Sequence, residues 1–304
     1  MLTEEQRANR HLSIGGSDAP AICGMGPFAS QGQTALGLYL EKTKQIEPEV
    51  LDSELLYWGN MNEANVMTAY AEKTGLKIQR VNSTLVHKGL PFMTAHLDRR
   101  VVAHPDGIRL GVEGKTTADY AFKYYDWGQP GTDEVPAHVM IQCMHYLAVT
   151  GYDQWDVAVL VGGNRHLIYH VPRDEEAITT LEGLEGEFWE HVLTMTPPPA
   201  DFAHKSMSDL LTKMYPGTNG QFIYLNDEHL FNIHAESVTL KAEIKERKAR
   251  AEAIAAELQM AVGENAAGIF PDGSGYKRSL IKGGPVAYER KDAVRFTFSK
   301  NIKP

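Results

Sequence analysis

Two carboxylates and a lysine are set close together in the stretch MTAHLDRRVVAHPDGIRLGVEGKTT, residues 93–117. Asp98 lies in its first half and Glu113 and Lys115 in its second, with His104-Pro105-Asp106-Gly107 between them as a strong turn signal. A hairpin folded about 105–106 places residue 98 opposite roughly residue 113. Period-2 alternation then puts Lys115 on the same face as Glu113. Two carboxylates on neighbouring strands repel unless a cation sits between them, and hard oxygen ligands of this kind suit Mg²⁺ or Mn²⁺. An ammonium beside them can orient a water or neutralise charge at a scissile phosphate. The chemistry implied is metal-assisted hydrolysis of a phosphodiester. Asp106, at the tip of the turn, points to solvent some way from the sheet centre. The same three residue types also occur on ordinary solvated sheet faces, where they do no chemistry.

The elements that must position these residues can be read from periodicity and breakers. SIGGSDAPAICGMGPF (13–28) is a Gly-rich loop opening into a short helix, with Asp18 or Ser17 as N-cap. Ser17 with the amides of Gly15 and Gly16 suits either capping alone or a phosphate cradle at a helix start. Helices are expected at 34–43 and at 62–75, the second ending at Gly75 and carrying Glu63 in its first turn, where an acid complements the helix dipole. KIQRVNSTLVHK and FMTAHLDRRVVA read as strands, and IRLGVEGKTT as the returning strand of the hairpin. Pro136 suits the first turn of a helix running to about Thr150, with Gly151 as its stop and Gln142 in its middle. A second hairpin spans 155–172 and an amphipathic helix spans 174–194. TPPPADF (196–202) is the clearest boundary, dividing the chain into residues 1–200 and 201–304. Beyond it come a long charged helix at about 235–261, whose heptad pattern is weak, and a β-rich tail. The alternation predicts a mixed sheet flanked by helices, an α/β (α+β) fold.

Bulk composition excludes several classes. No run approaches the 18 apolar residues of a membrane span, and the charged start MLTEEQRANRHLS lacks a signal-peptide core. Two cysteines, Cys23 and Cys143, rule out a disulfide framework, suit a reducing cytosol and lack zinc spacing. The net charge of −9 taken alone argues against nucleic acid, but it is uneven: from Ala235 onward there are 13 Lys and Arg against 9 Asp and Glu. From Gly273 the balance is 8 basic to 2 acidic, interleaved with Tyr276, Tyr288, Phe296 and Phe298. That pattern suits either single-strand binding by stacking and phosphate contact or a small solvated β-unit.

Five blocks, in order, resemble the lambda-exonuclease and YqaJ-type viral recombinase nucleases of the PD-(D/E)XK superfamily. They are RHLSIGGSDAPAICG, YWGNMNEANVMTAY, FMTAHLDRRV followed by VEGKTT, VPAHVMIQCMHYLAVTG, and the run from KAEIKERKAR to the C-terminus, which resembles the extension of longer members. The resemblance implies a restriction-endonuclease-like core in residues 1–200 and favours Asp98 as metal ligand, with Asp106 as runner-up. It implies Glu63 as a third metal ligand beside Asp98 and Glu113, and Lys115 and Gln142 as the groups that position the attacking water. It implies Arg10 and Ser17 as phosphate contacts. A second glutamine common in relatives is replaced here by Met144. His96, His104 and His138 are read as incidental. The activity implied is that of a Mg²⁺-dependent deoxyribonuclease, with Mn²⁺ able to substitute. It would act 5′ to 3′ on double-stranded DNA ends and leave 3′ overhangs for a single-strand annealing protein in phage-type recombination, in the bacterial cytoplasm. A toroidal trimer with a basic channel would reconcile the acidic total with DNA binding. An endonuclease of the same fold is the alternative, and a non-catalytic DNA-binding or annealing module the remaining one.

Overall fold

Short apolar runs separated by Gly and Pro produce many brief elements before the first long helix. In the computed structural model the described residues are 9–26, 34–47, 54–215, 217, 223–282 and, by backbone alone, Leu55 and 293–299. A single 3₁₀ turn at Arg10–Leu12 leads to α1 (Ala19–Ile22) and α2 (Ala35–Lys42). Thr34 caps α2 by accepting from the Gly37 amide. Helix α3 runs Glu54–Thr74. Then come β1 (Ile78–Gln79), β2 (Leu85–Val86), β3 (Thr94–Ala95), β4 (Arg99–Val101) and β5 (Leu110–Thr117). Helices α4 (Asp119–Tyr124) and α5 (Ala137–Thr150) connect β5 to β6 (Gln154–Val161), and β7 (Arg165–Pro172) follows. Asp174 caps α6 (Glu175–Leu193), which is followed by α7 (Met207–Met214).

The central sheet has the order β1-β4-β5-β6-β7, with β5 and β6 parallel and the other pairs antiparallel. The crossover through α4 and α5 is what lets two consecutive strands run parallel. On one face Val66, Met67 and Tyr70 of α3 bury Val112 and Ala158. On the other, α5 and α6 enclose Cys143, Leu147, Trp155, Val157 and Val159. Gly111 is required here: a Cβ on it would lie 2.4 Å from the Trp155 ring. The fold class is thus the mixed α/β arrangement with a helix-flanked central sheet that the alternation predicts.

The predicted hairpin turn holds. Gly107 adopts φ +73° and its amide donates to His104 O. Arg99 pairs with Val112 and Arg100 with Gly111, a register that, continued by one residue, sets 98 against 113. Helix α5, stopped by Gly151 at φ +65°, the second hairpin and α6 also stand where predicted.

Four local expectations need correction. The two runs at 77–88 and 92–103 are broken into pieces of two or three residues, because β2 and β3 pair with each other in a separate ribbon while β1 and β4 join the main sheet. Met93 also bridges to Ile14, so the chain changes partners at 96–98 and makes no ladder there. Helix α3 begins eight residues earlier than expected, which puts Glu63 in its third turn and not at its start. Helix α1 has four residues and Asp18 makes no side-chain cap. The chain divides into compact units at Thr218 and Asn219 and not at 200, because Met207 and Leu210 of α7 are buried with Tyr39, Leu40 and Phe188.

The second unit contains α8 (Glu228–Val262), longer than expected at its N-terminal end, and an antiparallel sheet of β8 (Ala267–Ile269), β9 (Gly275–Ile281) and β10 (Ala293–Ser299). Tyr276 sets its ring edge against Phe270 at 6.2 Å. Tyr288 and the side chains of Phe296 and Phe298 lie outside the described residues. Among the described residues, no helix is long and apolar enough to cross a membrane.

Candidate active site

The site forms where β4 and β5 part. Asp98 directly precedes β4, beyond the last ladder pair, and its carboxylate takes the backbone position a strand would have filled: Oδ2 accepts from the Gly114 amide at 2.9 Å. Gly114 keeps this approach open, since a Cβ there would stand 3.0 Å from Met67 and 3.6 Å from Asp98 Oδ2. Glu113, 6% exposed, and Lys115 extend from β5 towards α5. Lys115 Nζ donates to Glu113 Oε1 and to Gln142 Oε1, both at 2.8 Å. Gln142 Nε2 donates to Glu113 Oε1 at 3.0 Å and to Tyr146 Oη at 2.9 Å. Every polar atom of the buried amide is therefore committed, which fixes which end of Gln142 faces the lysine.

The charges explain why this cluster is reactive ground. Burial raises the Asp98 carboxyl, and the nearby Glu113 adds to the effect, so that it is pushed up to about 7 despite the Gly114 amide and Lys115. Burial opposes the Lys115 ammonium, but Glu113, by charge and hydrogen bond, and then Asp98 outweigh it, and Lys115 is held above its usual range. The protein thus retains an acid pair that resists full ionisation, partly compensated by one ammonium. Two opposed hard-oxygen groups of this kind fit a hard divalent cation.

Glu63 is not gathered into the pair as a third ligand. Its Oε1 accepts from Arg99 at 3.1 Å and Arg80 at 3.3 Å, although its charge contributes to raising Asp98. Among the described residues, no three His, Cys, Asp or Glu side chains stand together as a metal cage. Asp106 is 83% exposed at the hairpin tip beside His104, far round the turn from this cluster.

Arg10 and Ser17 meet each other: Arg10 Nη2 donates to Ser17 Oγ at 3.0 Å and to Asp18 Oδ1 at 2.8 Å. Asp18 is buried, and its Oδ2 accepts from Lys42 Nζ at 2.6 Å and the Gly15 amide at 3.0 Å. Burial opposes ionisation of Asp18, yet Lys42 and then Arg10 hold its carboxyl well below the usual range. The Arg10 side chain remains 54% exposed and so can meet a ligand. The loop is anchored to the acid pair through one ring. Gly16 lies so close to Tyr146 that a Cβ would approach it to 2.5 Å, and Tyr146 in turn holds Gln142. With a helix of only four residues behind it, Ser17 is placed by Arg10 and not by a helix terminus.

His138 lies near Lys115 with its ring edge against Tyr125 at 5.3 Å. Burial and then Lys115 lower it to about 4, so it is neutral at neutral pH. His96 bonds Thr84 at 2.9 Å.

Sequence reasoning missed Tyr146, Lys42 and the pair His145–Glu185. Tyr146 had a signal, because it stands four residues after Gln142 on one helix face. Lys42 had none: it reaches Asp18 from a separate helix. His145 is fully buried, with Nδ1 2.8 Å from Glu185 Oε1 and Nε2 2.9 Å from Thr94 O. Burial opposes the imidazolium, but Glu185, by charge and hydrogen bond, and then Thr94 O outweigh it, and His145 is held above its usual range. This pair ties α5 and α6 to β3 behind the site.

Residues 5–153 match the model of the YqaJ-like viral recombinase domain. The chain is 30% identical over 254 residues to the uncharacterized protein YqaJ of Bacillus subtilis (strain 168), covering 83% of this chain and 75% of that one. Its fold is similar to an alkaline exonuclease from Laribacter hongkongensis, with a TM-score of 0.51 at 16% identity, over 68% of this chain and 100% of the other. The complex of that enzyme with dAMP matches at a TM-score of 0.51 and 17% identity, with the same coverage.

Proposed function

Because the chain belongs to the YqaJ-like viral recombinase family, we propose that it is a Mg²⁺-dependent deoxyribonuclease, a 5′-to-3′ exonuclease acting on double-stranded DNA ends. The observation that carries this reading is the Asp98–Glu113 pair, electrostatically strained in a buried setting and flanked by Lys115 and Gln142. Asp98 and Glu113 would hold the divalent ion, with Glu63, whose charge already reaches Asp98, as the third acid. When bound, the ion supplies Lewis acidity and an acidified water.

The chain's own residues do the rest. Lys115, held by Glu113 and Gln142, directs its remaining N–H towards a non-bridging phosphate oxygen or the attacking water. Gln142 keeps that lysine in place, and Tyr146 keeps Gln142 in place. Arg10 binds phosphate, its guanidinium set by Asp18 and Ser17. In-line attack at phosphorus breaks the bond to the 3′ oxygen and leaves a 5′-phosphate. That dAMP, a nucleoside 5′-monophosphate, is bound by the structurally similar alkaline exonuclease supports this product. The surviving 3′ overhang would pass to a single-strand annealing protein in phage-type recombination in the bacterial cytoplasm, and a toroidal trimer would make digestion processive.

The test uses end-labelled linear duplex and a covalently closed circle, each with a Mg²⁺ titration. The wild type should release 5′-mononucleotides from the linear duplex only with Mg²⁺ and leave the circle intact. Lys115→Ala should be inactive and Asp106→Asn unaffected. Metal-independent release, or full activity of Lys115→Ala, would overturn the proposal, and cutting of the circle would make the protein an endonuclease.

A further inference from the structure

Directly after the strand that carries Glu113 and Lys115 comes ADYAFKYYDW (118–127), with five aromatic residues among ten. Helix α4 sorts them onto two sides. Phe122 stacks on Trp127 with ring centres 5.7 Å apart and planes 9° from parallel. Trp127 leans on Tyr169 at 5.1 Å, and the Arg165 guanidinium covers the Phe122 ring at 5.0 Å. Arg165 also pairs with Asp119 at 3.3 Å. Asp126 lets the chain turn back for this packing by adopting φ +51°, a conformation that a short polar side chain tolerates. One side of α4 is thereby pinned to the fold.

The other side is open. Tyr120 and Tyr124 stand four residues apart, on one helix face, and are 76% and 60% exposed. Lys123, also exposed, lies between them in sequence and on the same face as Tyr120. This face is continuous with the candidate active site. Tyr124 meets Tyr125 edge to face at 5.2 Å, and Tyr125 meets His138 at 5.3 Å. His138 stands in the first turn of α5, where burial and then the charge of Lys115 keep its imidazole neutral. An aromatic row thus runs from the neighbourhood of Lys115 out to the surface of α4.

Aromatic rings interleaved with a cation suit unpaired nucleotides. Every base has a π-face to lay on a ring, and the ammonium meets the phosphate between two bases. Bases inside a duplex already stack on one another and leave no face for such rings. We propose that Tyr120, Lys123 and Tyr124 form a base-stacking subsite, one base to each ring, that holds unpaired nucleotides of the DNA strand beside the nuclease site. The subsite rests on the nuclease reading for the identity of its ligand. It adds a preference for strands whose bases are free over the same chain of phosphates without them.

The experiment measures fluorescence anisotropy of the full-length protein in EDTA with two labelled probes, a short oligothymidylate and an abasic strand of the same length. The wild type should bind the thymidylate more tightly than the abasic strand. Tyr120→Ala with Tyr124→Ala should weaken thymidylate binding by about tenfold or more and leave the abasic strand unchanged. Tyr120→Phe with Tyr124→Phe should bind as the wild type does, because stacking needs the ring and not the hydroxyl. Lys123→Ala should weaken both probes. Tyr215→Ala, at a tyrosine 68% exposed elsewhere in the same unit, should change neither. A wild type that does not distinguish the probes, an alanine pair that binds thymidylate normally or loses both probes alike, or a phenylalanine pair as weak as the alanine pair would overturn the proposal. So would a Lys123→Ala protein that binds both normally, or a Tyr215→Ala protein as weak as the alanine pair. No cleavage occurs in this assay, so its failure is distinct from failure of the Mg²⁺-dependent release that tests the nuclease reading.

Discussion

Replacing Asp98 with Asn tests the acid pair without disturbing shape. The amide oxygen can still accept from the Gly114 N–H, while the charge opposite Glu113 disappears. In the folded protein burial and then Glu113 raise the Asp98 carboxyl from its ordinary 3.8 to about 7, worth about 4 kcal/mol. The sign follows from linkage. Between these two values the folded state holds a proton that the unfolded state has released, so stability falls as pH rises and the loss is complete above about 7. A gain of about 2–4 kcal/mol is expected on removing the charge. Metal-free Asp98→Asn should therefore be more stable than the wild type by that amount at pH 8 and about equal to it near pH 4. Urea unfolding in EDTA, followed by tryptophan fluorescence, reads this directly, because Trp58, Trp127, Trp155 and Trp189 all lie in the first unit. Mg²⁺ should stabilise the wild type and not the variant, in the manner of any ligand that binds only the folded state. A variant no more stable than the wild type at pH 8, or a gap independent of pH, would show that the two carboxylates are not opposed, and the argument for a cation would fall with it.

Gln142→Leu removes the acceptor of Lys115 and the donor to Glu113 and Tyr146, and single-turnover cleavage should slow about 10- to 100-fold, roughly 1.4–2.7 kcal/mol, with little change in DNA affinity measured in Ca²⁺. Gly111→Ala drives a methyl into the Trp155 ring and should cost about 1–3 kcal/mol in urea unfolding. His145→Leu strands the fully buried Glu185 and should cost about 3–5 kcal/mol. The raised imidazolium of the wild type contributes its full stability below the ordinary histidine range and loses it as pH rises through the raised value, so the difference between the two proteins should narrow in alkali.

The parts of the fold that were legible in the sequence are those set by local chemistry. Asp106-Gly107 set the turn, and the turn set the register that brings residue 98 level with Glu113. Pro136 and Gly151 bounded a helix because a ring and a positive φ each act within a few residues. What was not legible depends on partners distant in sequence. A run such as FMTAHLDRRVVA has uniform strand character, yet it divides between two sheets, and only the competing strands decide where. Helix α3 runs eight residues further back than its periodicity suggests, and Gly59 is an interior helical residue of it, facing Thr116. TPPPADF ends a helix but not a core, because α7 returns to bury Met207 and Leu210.

The candidate site divides along the same line. Asp98, Glu113 and Lys115 could be placed on one face by counting residues, but counting says nothing about depth. A carboxylate on a solvated hairpin and one behind α5 have the same spacing, and only the second is forced towards neutrality by burial and by its neighbour. Tyr146, Gly16 and Gln142 stand around the acid pair without a charge to attract notice. The arginine loop shows the converse. Arg10 and Ser17 stood out as polar residues, but their placement depends on Asp18, which stays ionised in the interior only because Lys42 arrives from another helix. Charge marks where chemistry can occur, and the uncharged and buried residues around it decide which protonation state the chemistry starts from.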